Sequence, residues 1–115
     1  MYIQTYADGR VFSWDRRKSV ANLADRGFDF EFATLIFSGP TFEREDTRQD
    51  YGERRMVAMG SADGILLVVV YTDRAVPGGR SERRLISARR ASKRERVAYE
   101  TAIEDKVAQS RPRRP

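Results

Sequence analysis

Apolar positions along the chain follow two rhythms. From Tyr2 to Trp14 they alternate loosely around Asp8-Gly9, a dipeptide favoured where a hairpin turn needs positive φ. This predicts two short strands, at about 2–6 and 11–14. After Asp15 the period becomes helical. Val20, Leu23 and Ala24 share one face of a helix capped by Asp15 and ending at Arg26, with Gly27 where a left-handed helix end is wanted. Asp29 caps a second helix, "FEFATLIF". Its Phe30, Ala33 and Phe37 fall on one side with Ile36 beside them, and Gly39-Pro40 ends it. This helix is apolar enough to be buried.

Residues 41–52 are polar and turn-rich, and predict a connection. The period then returns to two. "RRMVAMG" and "ILLVVVY" flank "SADG", a hairpin signal, and the second run is apolar on both faces, as a central strand should be. "DRAVPGGRSE" reads as a loose connection and "RRLISAR" as the next strand. Ser92 and Glu95 form an S-x-x-E capping box that starts a helix from Lys93 to about Ala108. The expected fold class is α+β, in the order β(β)ααβββα. It comprises a small, mostly antiparallel sheet of three or four strands, two N-terminal helices on one face and a C-terminal helix nearby. One domain over residues 1–108 is expected, followed by a disordered basic tail at 109–115 with two prolines among three arginines.

Composition narrows the chemistry. A chain of 115 residues supports one core. It has no cysteine and no histidine, which excludes a disulfide framework, a thiolate nucleophile and a His-based triad, and leaves no metal site or cofactor expected. Acid–base work must fall to carboxylates, Tyr, Lys or Arg. No apolar run approaches the ~18 residues of a membrane helix, and no secretory signal is visible, so a cytoplasmic, non-membrane protein is expected.

Charge is uneven. Residues 1–79 hold ten Lys/Arg and twelve Asp/Glu, a balance of −2; residues 80–115 hold twelve and five, a balance of +7, which gives the net +5. A localised electropositive face most commonly meets a phosphate backbone. Arg89 and Arg90 end a strand, and Lys93, Arg94 and Arg96 occupy the first turns of the following helix. Positive charge there opposes the helix macrodipole, so a plain solvated helix start explains it less well than an anion site. Glu53, Arg54 and Arg55 begin the strand expected to lie close to strand 83–89. Alternation sends the two arginines to opposite faces, so one of them can join Arg89 or Arg90 over a concave surface; the bland alternative is an exposed strand end. Lys18 shares a helix face with Asn22, and Trp14 reads as a core anchor rather than a base-stacking platform.

Arginines without histidine or metal ligands suit one chemistry well. In RNA scission the 2′-hydroxyl attacks the adjacent phosphate, and guanidinium forks can hold the charge that builds on the phosphoryl oxygens while a carboxylate or tyrosine moves the proton. The segments "FSWDRRKSVANLADRGFDFEFA", "DYGERRMVAMGSADGILLVVVYTD" and "RLISARRASKRERVAYE" resemble, in order and spacing, the BrnT toxins of bacterial type II toxin–antitoxin modules, over about residues 12–100. The resemblance implies a RelE-like ribonuclease fold and translation inhibition by cutting RNA. It also implies neutralisation by a BrnA antitoxin, whose DNA-binding domain is the indirect link to DNA, with possible dimerisation in the complex. By position it implicates Arg89, Arg90, and Arg54 or Arg55 as catalytic arginines and Glu53 as the carboxylate; Lys18, Lys93, Arg94 and Arg96, from the charge pattern, are the expected RNA contacts. Arg26 stands where the family often has histidine, and "AVPGGRSE" is longer than expected. Residue chemistry alone leaves two other classes open: a non-catalytic RNA- or ribosome-binding module, and a DNA-binding regulator, for which no helix-turn-helix spacing is evident.

Overall fold

The computed structural model of the chain describes residues 2–7 and 10–110, with side chains from 11 to 106. Asp8-Gly9 and residues 111–115, most of the expected tail, lie outside the described residues. The elements are β1 (Tyr2–Ala7), β2 (Arg10–Asp15), α1 (Arg16–Arg26), α2 (Phe30–Ala33), a 3-10 helix (Thr34–Ser38), β3 (Thr41–Glu45), β4 (Met56–Ala62), β5 (Ile65–Val76), β6 (Arg80–Arg90) and α3 (Lys93–Ser110). Among the described residues, six strands form one sheet in the order β1-β2-β6-β5-β4-β3.

This corrects the expected sheet in size and in character. It is mixed: β2 runs parallel to β6, with Trp14 opposite Leu85, while the other pairings are antiparallel. The parallel pairing follows from α1, α2, β3, β4 and β5 all intervening between the two strands, so β6 returns along β2 rather than folding back on it. β3 falls in the segment expected to be a polar connection. It is an edge strand joined to β4, with Thr41 opposite Gly60 and Glu45 opposite Met56, and its charged, half-exposed residues give no apolar alternation. The expected loose connection after residue 72 is mostly ladder, because β5 and β6 stay paired out to Val76 and Arg80.

Local signals held at the helix ends. Asp15 accepts the Arg17 N–H at 2.9 Å, the Gly27 N–H reaches the Leu23 carbonyl at 3.0 Å, and Asp29 accepts the Phe32 N–H at 2.8 Å. Ser92 and Glu95 close the capping box in both directions, at 2.9 and 3.2 Å. "SADG" turns with positive φ at both Asp63 and Gly64, the geometry that matches strand twist.

Helix α1 is turned away from its expected face. It buries Ser19 and Asn22 and leaves Val20 and Leu23 more than half exposed. Ser19 Oγ accepts the Phe30 N–H at 3.0 Å and Asn22 Nδ2 donates to the Phe28 carbonyl at 2.9 Å, so α1 docks through hydrogen bonds to segment 28–30. The helix expected over 30–37 is split between α2 and the 3-10 turn, yet buries Phe30, Ala33, Ile36 and Phe37 as its spacing implied. The 3-10 turn lies so close to β4 that a Cβ on Gly60 would stand 2.9 Å from Ile36 Cβ.

β5 is interior and deeply buried at Leu67, Val68, Val69 and Tyr71. Leu67, Val69 and Tyr71 join the main core under α1, α2 and the 3-10 turn; Val68 joins a smaller cluster with Val57 and Met59, packed by Val70, Ala91 and Tyr99. The second cluster defines the opposite face, which α3 touches through Tyr99, whose hydroxyl donates to the Pro40 carbonyl at 2.9 Å.

Candidate active site

The face a β6 arginine uses is set by an irregularity. The pairing jumps from Val70 opposite Ser87 to Tyr71 opposite Leu85, leaving Ile86 as an extra residue. Leu85 and Ala88 therefore both enter the main core although three residues apart. Beyond the bulge, Arg90 lies opposite Leu67 and so on the main-core side, while Arg89 lies opposite Val68 on the α3 side. The two arginines of "SARR" thus part company.

Arg89 is half-exposed and held by a two-point fork. Its Nη1 and Nη2 donate to Glu95 Oε1 and Oε2 at 2.7 and 2.8 Å, and Nη1 also reaches the Arg90 carbonyl at 3.3 Å. Glu95 in turn accepts the Ser92 N–H. The Arg89 guanidinium, helped by that N–H, holds the Glu95 carboxyl at about 2, well below its usual 4.5. One carboxylate therefore both caps α3 and fixes the arginine. On the protein's edge beside it, Arg26 Nη1 donates to the Ala88 carbonyl at 2.8 Å and to Asn22 Oδ1 at 3.1 Å, tying the end of α1 to β6 one residue from Arg89.

Glu53, Arg54 and Arg55 do not begin β4, which starts at Met56. They lie in the connection before it, and β5 separates β4 from β6. The Asp46 N–H donates to the Arg55 carbonyl at 2.8 Å, extending the β3–β4 pairing by one step. Since Met56 faces the main core, alternation turns Arg55 to the α3 side and Arg54 to the other. Arg54 pairs with Glu45 at 2.7 Å; Arg55 pairs with Glu53 at 3.0 Å and lies 4.1 Å over the Tyr51 ring. Thr72 Oγ1 donates to the Arg54 carbonyl, so this end of the sheet is four residues along β5 from Val68 and Arg89, roughly 13 Å at strand rise. The expected meeting of Arg54 or Arg55 with Arg89 or Arg90 does not occur in this structure. Arg55 and Arg89 share a face, at separate ends.

The remaining candidates are dispersed. Arg90 lines a cleft of about 420 Å³ with Ser61, Gly64, Leu66, Arg96 and Tyr99. Lys93 and Arg94 are exposed on the first turn of α3. Lys18 is exposed and borders a 320 Å³ recess with Asn22, Arg26 and Ser87, while its expected face-mate Asn22 is buried. Trp14 is core.

Two further clusters carry almost no signal in the sequence. On the main-core side, Tyr71 donates its hydroxyl to Glu43, Arg83 lies 4.0 Å over the Tyr71 ring, and Asp73 accepts from Arg83 at 2.8 and 2.9 Å. Burial, then the Glu43 bond, pushes the Tyr71 phenol far above its usual range, so it serves as a donor that ties β3 to β5. On the α3 side, Asp46 is buried and Arg48 is not. Asp46 takes Arg48 Nε and Nη2 at 2.8 Å each and the Tyr51 hydroxyl at 3.2 Å. Arg48 holds the Asp46 carboxyl well below the usual carboxylate range. The only sequence signal for either cluster was local, the D-x-R…Y spacing within "DTRQDY".

No curated protein matches the chain. The family model that describes BrnT, the ribonuclease toxin of type II toxin–antitoxin systems, matches residues 14–95, from the end of β2 to the capping glutamate of α3. The chain belongs to the BrnT family of ribonuclease toxins.

Proposed function

We propose that this toxin cuts RNA without a metal, by attack of a 2′-hydroxyl on the adjacent phosphate, at the sheet face that carries Arg89. The observation that carries this reading is the Arg89–Glu95 fork. It fixes a half-exposed guanidinium at the rim of the face. The fork to Glu95 uses Nη1 and Nη2 and leaves the Nε–H available to a phosphoryl oxygen. A donor held in place before reaction stabilises developing charge with little reorganisation, which is where most of the rate gain of such sites arises. Arg55 on the same face, with Lys93 and Arg94 at the start of α3, supplies further phosphate contacts. Arg90 and Arg96, together in one cleft with Tyr99, suit a flanking nucleotide better than the reacting one.

Glu95 is a poor base for the 2′-hydroxyl, since a carboxyl held at about 2 takes up few protons near neutrality. Its work is positioning. Glu53, the other carboxylate candidate, is bonded to Arg55 at the far end of the same face, roughly 13 Å from Arg89 at strand rise, and does not reach a proton at a phosphate held by Arg89. Translation inhibition follows from RNA cutting, and a BrnA-type antitoxin with a DNA-binding domain, a RelE-like relationship of fold and a cytoplasmic setting belong to the same reading.

The test is cleavage of purified RNA by the wild-type protein with and without chelator. Products ending in a 2′,3′-cyclic phosphate at unchanged rate in chelator are expected. Loss of activity on chelation, or growth arrest with no cleavage, would replace this mechanism with a metal-dependent one or with a non-catalytic RNA-binding one.

A further inference from the structure

Arg48 is an unusual surface arginine. Its side chain is 71% exposed while the carboxylate it binds is 1% exposed. Were its purpose only to neutralise Asp46, covering that carboxylate would be expected to bury the guanidinium too. Instead Asp46 is satisfied from three sides: Arg48 Nε and its backbone N–H on Oδ1, and Arg48 Nη2 and the Tyr51 hydroxyl on Oδ2. The Tyr51 ring is in turn covered by Arg55. A long side chain that would otherwise sample many rotamers is thus held in one, and the ordering entropy is already spent in the fold rather than on binding. The side-on fork leaves Nη1 pointing away from Asp46.

The direction matters. Asp46 extends the β3–β4 register opposite Arg55, on the α3 side of the sheet. The loop after it therefore starts on the face that carries Arg89. Arg48, held by Asp46 beside Tyr51 and Arg55, lies on that same α3 side. Two guanidiniums, each locked by its own carboxylate and each with N–H groups to spare, thus stand on one face. An RNA strand lying along the face meets both, and its phosphates can accept from each.

We propose that Arg48 and Arg89 are the two jaws of a phosphate clamp over the β4–β6 face, with Asp46 positioning the first as Glu95 positions the second. The proposal rests on the RNA-cutting reading and adds a residue to it. RNA is gripped between loop 46–52 and the start of α3, and the two carboxylates act as positioning residues that do not touch it.

The experiment measures binding and cleavage separately. Binding of a fluorescent, 2′-O-methyl RNA that cannot be cut is followed by polarisation against salt, and single-turnover cleavage is followed on the natural RNA. Arg48→Ala should weaken binding, flatten the log–log salt slope by about 0.7, the value for one lost single-strand phosphate contact, and slow cleavage. Arg17→Ala, the same charge loss on exposed α1, should do none of these. Arg48→Lys, which keeps a partner for Asp46, should retain the salt slope but cleave slowly, and it stands in if Arg48→Ala fails to fold. In the Arg48→Ala/Arg89→Ala pair, the two losses should be less than additive. An Arg48→Ala protein that binds and cleaves like Arg17→Ala overturns the clamp. If the wild type binds the probe but cuts no RNA, the cleavage reading falls while the Arg48 effect on binding still decides the clamp. A wild type that binds no RNA overturns both.

Discussion

Replacing Arg89 with lysine keeps the charge and removes the fork, so it separates two roles by size of effect. In the structure Arg89 donates to both Glu95 oxygens, at 2.7 and 2.8 Å. An ammonium at that position can keep one of these contacts, and its hydrogens rotate rather than point. The stability change should be small. The pair is half-exposed on the arginine side, and exposed pairs contribute about 0.2–1 kcal/mol. Unfolding should therefore move by a few degrees at most. The catalytic change should be large. Losing one positioned donor to developing phosphoryl charge lowers the rate on the order of 10²–10³, or about 3–4 kcal/mol of barrier. Single-turnover cleavage of end-labelled RNA, with thermal unfolding run alongside, reads both quantities. Arg90→Lys is the internal contrast, because Arg90 lies opposite Leu67 in the cleft with Arg96 and Tyr99, outside the Glu95 fork, and should lose much less. With no histidine in the chain, the rate should also show no inflection near pH ~6.5. Wild-type cleavage by Arg89→Lys would show that charge alone suffices and would demote Arg89 to a general RNA contact. Equal losses at Arg89 and Arg90 would refute the division by face.

Gly60→Ala should destabilise the protein by about 1–3 kcal/mol, as overpacking of a tight contact does, because its Cβ would stand 2.9 Å from Ile36 Cβ and 3.2 Å from the Ile36 carbonyl; urea midpoints measure it, and an unchanged midpoint would mean that the 3-10 turn yields. The Glu95 carboxyl is depressed in the folded state from 4.5 to about 2, chiefly by Arg89. Its contribution to stability is therefore present above pH 4.5 and lost as pH falls towards 2, so the gap in urea midpoint between wild type and Glu95→Gln should close across that window. Glutamine still completes the capping box, so a gap that persists at pH 2 would assign the effect to the cap instead. Ser92→Ala should lower stability by about 1 kcal/mol through loss of the cap to the Glu95 N–H, again read by urea. The antitoxin complex should bind far less RNA than free toxin, by covering the basic face with acidic or apolar segments; unchanged RNA binding in the purified complex would mean inhibition elsewhere.

What the sequence determined by itself was local chemistry. Asp15, Asp29 and the Ser92–Glu95 box cap where they do because a short acceptor side chain beside unpaired N–H groups needs nothing from the rest of the fold. The apolar run of β5 announced an interior strand, since no other location covers both of its sides. The absence of histidine and cysteine fixed which functional groups any mechanism can use. The spaced motifs, taken together, named the family.

Other features depended on long-range packing. α1 buries Ser19 and Asn22 rather than Val20 and Leu23, because Phe28 and Phe30 present backbone groups that only polar side chains can satisfy. β3 has no apolar alternation to reveal it, as its ladder is backbone bonding at an edge. The candidate site turns on one residue. In a regular strand Leu85 and Arg89 share a face, since side chains repeat every two residues. The extra residue at Ile86 shifts that count by one, sending Ala88 into the core with Leu85 and turning Arg89 to the open face. A bulge forms when both Leu85 and Ala88 find space under the helices, and that space exists only once the helices and β5 have packed.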